Sequence, residues 1–89
     1  MSLSSDISTY TDIRILLDEA LTSENGVAAK LATEGKARYM RQRCYRFRDL
    51  VQNEGDFRYN NLRFEYVPYA DGTHWLKITH IEPLLVVKL

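Results

Sequence analysis

Ile13, Leu16, Leu17, Ala20 and Leu21 recur at spacings of one, three and four residues and mark one apolar face. That period predicts a helix over Thr11–Ser23. Thr9 or Thr11 is expected to accept from its first free amides, and Asn25-Gly26 to supply the left-handed residue that ends it. Val27, Ala29 and Leu31 then alternate with Ala28, Lys30 and Ala32, the period of a short strand. Ala37, Met40, Cys44, Phe47 and Val51 restore the helical period and predict a second helix over Glu34–Gln52, with Thr33 as its cap and Asn53-Glu54-Gly55 as its stop. Beyond it the period falls to two again. Leu62, Phe64 and Tyr66 alternate with Arg63, Glu65 and Val67. Asp71-Gly72 is a turn signal, and Trp75–Ile81 is the return strand. Pro83 interrupts, and Leu84–Leu89 reads as a last edge strand.

The order is α-β-α-β-β with one further strand. Two helices packed on one face of a small, mostly antiparallel sheet would bury every apolar stripe, so the fold class is α+β. Residues 1–8 are polar, small and aperiodic and are expected to form a flexible tail. Residues 9–89 form a single domain, since a chain of 89 residues leaves no room for two.

Composition adds one constraint. Cys44 is the only cysteine, so the core holds without an internal disulfide, which suits a reducing, cytoplasmic setting. The first residues lack the basic start and apolar run of a signal peptide. No stretch reaches the ~20 apolar residues that span a bilayer, so no membrane association is expected.

The formal net charge is zero, but the charges are segregated. Residues 1–25 carry five acids and one base, whereas residues 36–48 carry six bases and no acid: Lys36, Arg38, Arg41, Arg43, Arg46 and Arg48. At about 100° per residue, Arg38, Arg41, Tyr45 and Arg48 share a sector about 80° wide beside the apolar seam. Arg43 falls on the other flank and Arg46 nearer the outer side. Arginine presents a planar fork of donors to phosphate oxygens, and tyrosine a face to an unstacked base. This pattern points to DNA or RNA as partner, bound through the backbone without sequence readout. The competing reading is structural. Arginine is a good helix former whose stem covers apolar surface, and acids of the first helix or Glu65 would pair with these side chains inside the domain. Whole-chain neutrality weighs against strong nonspecific binding.

The pattern Ala37-x3-Arg41-x-Arg43-x-Tyr45-x2-Arg48 is preceded by Asp18-Glu19-Ala20-Leu21 and Gly26-Val27 and followed by Tyr59-x2-Leu62. Across residues 16–64 it resembles small uncharacterised proteins of tailed bacteriophages. The resemblance implies an accessory protein acting in the host cytoplasm and transfers no catalytic residue.

Other chemistry is sparse. His74 and His80, with Asp71 or Glu82, lack a recognisable zinc spacing and read as ordinary surface or core histidines. Cys44 sits in an apolar seam, where a thiol packs rather than reacts. Gly35 near a helix start is no phosphate loop. The acids form no pair suited to proton transfer, so neither an enzyme nor a cofactor nor a metal is expected. Tyr69 and Trp75, if exposed together, make a contact patch for a protein or a base. The sequence thus favours a weak nucleic-acid-binding accessory module acting through Arg38, Arg41, Arg43, Tyr45, Arg46 and Arg48. The alternative is a protein-interaction module that binds a host or phage protein, or a homo-oligomer built through the same helix, the hairpin or an edge strand.

Overall fold

A computed structural model of the chain describes residues 9–81. The tail expected over residues 1–8 and the strand expected over Leu84–Leu89, with Glu82 and Pro83 before it, lie outside the described residues. The elements are α1 (Thr11–Thr22), β1 (Val27–Leu31), α2 (Glu34–Asn53), β2 (Leu62–Pro68) and β3 (His74–His80). Their bounds fall within one residue of those read from the hydrophobic period. The strands form one sheet in the order β1-β3-β2, with both pairings antiparallel.

Both helices cover the same face of that sheet. Ile13, Leu17 and Ala20 of α1 and Cys44, Phe47 and Val51 of α2 pack with Leu62, Phe64, Leu76 and Ile78 into a single core. Tyr59, from the α2–β2 connection, is fully buried among them. Each large side chain in this core contributes roughly 1.5–3 kcal/mol. Exposed ion pairs contribute about 0–1 kcal/mol each, so burial rather than charge pairing holds the domain together.

Local chemistry sets the ends of the elements. Thr33 caps α2 as expected, its hydroxyl accepting from the Lys36 amide at 3.1 Å. The cap of α1 differs from expectation. Tyr10 stands at the capping position itself, and its side chain makes no capping bond. Its ring instead lies 6.1 Å from that of Phe47, so aromatic packing on α2 fixes where α1 begins. Gly26 joins α1 to β1 with φ +79°, and a Cβ placed on it would lie 2.1 Å from the Ile78 carbonyl oxygen. The chain can therefore turn into β1 only through a residue without a side chain.

Among the described residues, no helix covers the opposite face of the sheet. The register places Val67, Trp75 and Lys30 in one cross-strand row and Glu65, Lys77 and Ala28 in the next. Glu65 thus lies across the sheet from α2, and, contrary to the structural reading of the arginines, it pairs with none of them, because strand alternation turns it to the face away from the helices.

Candidate nucleic-acid interface

The arginine-rich segment is the middle of α2, and its two flanks have different fates. On the α1 side, the Arg43 guanidinium grips Asp12 with two bonds of 2.7 and 2.9 Å and donates a third to the Thr9 carbonyl at 3.2 Å. Those bonds hold the Asp12 carboxyl below its ordinary range and push the Arg43 guanidinium up. The charge of Arg43 is neutralised inside the domain. Arg46 is exposed on the outer side, beside a 410 Å³ hollow that Tyr10, Asp49 and Leu50 also line.

The β2 side is arranged differently. The Ile81 amide donates to the Asn61 carbonyl and the Tyr69 amide to the Thr73 carbonyl, so the odd-numbered residues of β2 point their main-chain groups at β3. The groups of Leu62, Phe64 and Tyr66 therefore face outward along the edge of the described sheet. Arg41 Nε donates to the Phe64 carbonyl at 3.1 Å, and Arg48 Nη1 donates to the Leu62 carbonyl at 3.0 Å. Between them stands Tyr45, its edge against Phe64 with centroids 5.0 Å apart. The guanidinium of Arg41 lies 5.7 Å from the Tyr45 centroid and that of Arg48 lies 5.2 Å from it. One turn earlier, Arg38 lies 5.1 Å above the Tyr66 ring and 3.6 Å from Glu34.

The partners of these side chains decide the electrostatics. A carbonyl holds a guanidinium in place but leaves its positive charge uncompensated, whereas a carboxylate cancels it. Arg41 and Arg48 form no ion pair with any described residue. Each uses one of its five N–H donors on the strand edge and keeps the others for solvent or a ligand. The Arg38–Glu34 pair has both side chains more than half exposed, so water competes readily for it. A shallow depression of 190 Å³ lies among Arg38, Arg41, Gln42 and Tyr45.

Of the six residues expected to act together, the structure gathers Arg38, Arg41, Tyr45 and Arg48 on one flank and separates Arg43 and Arg46 from them. Gln42 and Tyr66 join the strip without having been foreseen. Gln42 follows from the helical period, but Tyr66 comes from another element and left no signal in α2. Around Tyr45, two guanidinium groups stand near the ring that was expected to stack on a base.

The remaining candidates are dispersed. His74 stacks on Tyr66 with centroids 6.1 Å apart and shares a 2.9 Å hydrogen bond with its hydroxyl, while His80 Nε2 meets the Ser23 carbonyl at 2.9 Å. Cys44 is buried, and burial pushes its thiol up to about 12. Among the described residues no three His, Cys, Asp or Glu side chains converge as metal ligands. Tyr69 is exposed and meets the half-buried Trp75 edge to face at 6.1 Å.

Compared with models of protein families, with curated proteins and with solved structures, the chain gives no match. No helix among the described residues is long and apolar enough to cross a membrane.

Proposed function

We propose that the chain is a small phage-type accessory module that binds the backbone of DNA or RNA weakly and without sequence readout, through Arg38, Arg41 and Arg48. One observation carries this reading: Arg41 and Arg48 are anchored by main-chain carbonyls rather than carboxylates. They are pre-positioned and still charged, so little side-chain entropy remains to be lost when a phosphate arrives. The ten residue steps from Arg38 to Arg48 rise about 15 Å along the helix, a span suited to a few consecutive phosphates. Tyr45 serves this strip as the spacer that holds two guanidinium groups apart. Arg43 is withdrawn from it by Asp12, and Arg46 contributes general positive potential only. The texture shared with small phage proteins supports a host-cytoplasm setting.

Three guanidinium contacts set the expected salt dependence. Log K against log salt should slope at roughly −2 for a single strand and roughly −3 for a duplex. Fluorescence anisotropy with a labelled oligonucleotide at two or more salt concentrations measures it. Arg41→Ala with Arg48→Ala should bring the slope close to −1 and weaken binding, while circular dichroism stays folded. A flat salt response, or full affinity in the double variant, sinks the reading.

Self-assembly is the second reading, favoured by a separate observation. The outward main-chain groups of β1, at Ala28 and Lys30, meet no donor or acceptor among the described residues, unlike the guarded edge of β2. An unguarded edge is a template for a strand of a second copy. A concentration-dependent dimer in light scattering, with no oligonucleotide binding at low salt, would move the assignment to this reading.

A further inference from the structure

The sheet face turned away from α1 and α2 holds a hollow of 300 Å³ lined by Ala28, Tyr69, Asp71, Thr73 and Trp75. Its two aromatic walls stand at 88° to each other. Trp75 Nε1 donates to Thr73 Oγ1 at 2.9 Å, and that hydroxyl donates to Asp71 Oδ1 at 2.6 Å. The indole is thereby held in one orientation. Ala28 has no side chain beyond Cβ, so nothing of β1 fills the space beside the indole. Lys30 stands directly opposite Trp75 in the register, and Lys77 is the next residue of β3 on the same face.

We propose that this corner receives one unstacked nucleobase bearing an exocyclic amino group, from a single-stranded nucleic acid. The flat indole supplies the stacking surface, and Tyr69 closes the side. Asp71 supplies the acceptor for the amino group. Its Oδ1 is bonded to the Thr73 amide and hydroxyl, which hold the carboxyl below its ordinary range, while Oδ2 has no partner among the described residues. Lys30 and Lys77 supply positive charge for the adjoining phosphates. Trp75 stands on the middle strand, on the face that the described helices leave uncovered, and Tyr69 flanks it from the β2–β3 turn; an aromatic so placed on a sheet is a recurrent platform for bases.

An alkylammonium ligand also favours aromatic walls and a carboxylate, but the positions here oppose it. Lys77 Nζ already lies 5.6 Å from the Tyr69 centroid, and Lys30 adds a second positive charge. A further cation would have to displace the Lys77 ammonium from the Tyr69 ring, whereas a neutral base stacks on the indole without doing so. The corner lies on the face of the sheet opposite the helices, so it is a second site beyond the α2 strip, although both sites take the same class of polymer.

Trp75 is the sole tryptophan, so its fluorescence reports on this corner alone. The intact chain is titrated with oligo-dC, oligo-dT and oligo-dU of equal length, which carry equal phosphate charge; dC alone has the exocyclic amino group, and dU controls for the thymine methyl. Oligo-dC should quench Trp75 and bind about 5- to 100-fold more tightly than oligo-dT or oligo-dU, the range of one well-placed base-edge hydrogen bond. Ala28→Leu fills the hollow at an exposed position and should abolish both the quenching and the preference. Asp71→Asn should remove the preference while leaving quenching in place. Affinity for oligo-dC equal to that for oligo-dT or oligo-dU, or quenching that survives Ala28→Leu, overturns the proposal. The two sites fail separately. Salt-dependent anisotropy without Trp75 quenching rejects the corner and keeps the strip. Quenching that survives Arg41→Ala with Arg48→Ala, alongside unchanged salt dependence, keeps the corner and rejects the strip.

Discussion

The Nε of Arg41 donates to the Phe64 carbonyl oxygen at 3.1 Å, joining a helix side chain to the outward main chain of an edge strand. Arg48 repeats the contact two residues earlier on the strand, at Leu62. An incoming strand would need the same two carbonyls to extend the sheet. One pair of bonds thus guards an edge and holds two uncompensated charges at fixed positions.

Removing the pair should therefore have two effects. Arg41→Ala with Arg48→Ala is expected to lower stability by about 1–3 kcal/mol, since two bonds from charged donors are lost at half-buried positions. It should also raise the tendency to associate, as the β2 edge is uncovered. Urea denaturation and light scattering read the two effects, and a variant as stable and as monomeric as the parent would show that these contacts guard nothing.

Gly26 and Gly72 provide an internal comparison. Both have positive φ, +79° and +84°, but a Cβ on Gly72 meets nothing within 4 Å, whereas one on Gly26 collides with the Ile78 carbonyl. Gly72→Ala should cost about 1–2 kcal/mol, the left-handed penalty alone. Gly26→Ala adds a main-chain clash and should cost at least about 3 kcal/mol. Thermal melts of the two variants give the ranking; equal losses would contradict the close packing of the α1–β1 turn on β3.

The Asp12–Arg43 pair predicts an acid-side signature. The hydrogen bond from Arg43 lowers the Asp12 pKa in the folded state below its ordinary value of 3.8. A carboxyl depressed on folding stabilises above its unfolded pKa, and that stabilisation fades as pH falls through the folded value. Asp12→Asn should remove up to about 1 kcal/mol at neutral pH, as the pair is partly exposed, and nothing once the pH is below both values. Stability of parent and variant measured from pH 2 to 6 tests this; parallel curves would mean the pair is energetically silent.

Tyr59 gives the complementary alkaline signature. Its hydroxyl donates to Asp18 at 2.6 Å, and burial together with that carboxylate pushes the phenol from 10 up to about 12. A phenol raised on folding stabilises fully below its unfolded value, and the contribution is lost as pH climbs from about 10 through 12. Tyr59→Phe should cost roughly 1–2 kcal/mol at pH 8 and flatten the alkaline decline. Denaturation at pH 8 and pH 11 is the measurement, and an unchanged alkaline slope in the variant would reject the assignment.

Apolar periodicity alone determined the elements of this protein. The stripes at Ile13–Leu21 and Ala37–Val51 and the alternation at Leu62–Tyr66 specify two helices over one sheet face, because each must hide its apolar side and only that arrangement hides them all. The Thr33 cap was legible for a similar reason, since it depends on residues three positions apart; Gly26 has positive φ as expected, but α1 already ends at Ser23, and the close approach to Ile78 that excludes a side chain came only from the sheet. Partners of the arginines were not legible. Arg43 meets an acid 31 residues away and Arg41 a carbonyl 23 residues away, and α2 has no local feature that distinguishes them. The placement of β3 between β1 and β2 decided which strand edge lies beside α2, and hence which guanidinium groups keep their charge. Local sequence sets which face of an element is apolar, but long-range packing sets what stands opposite the polar one.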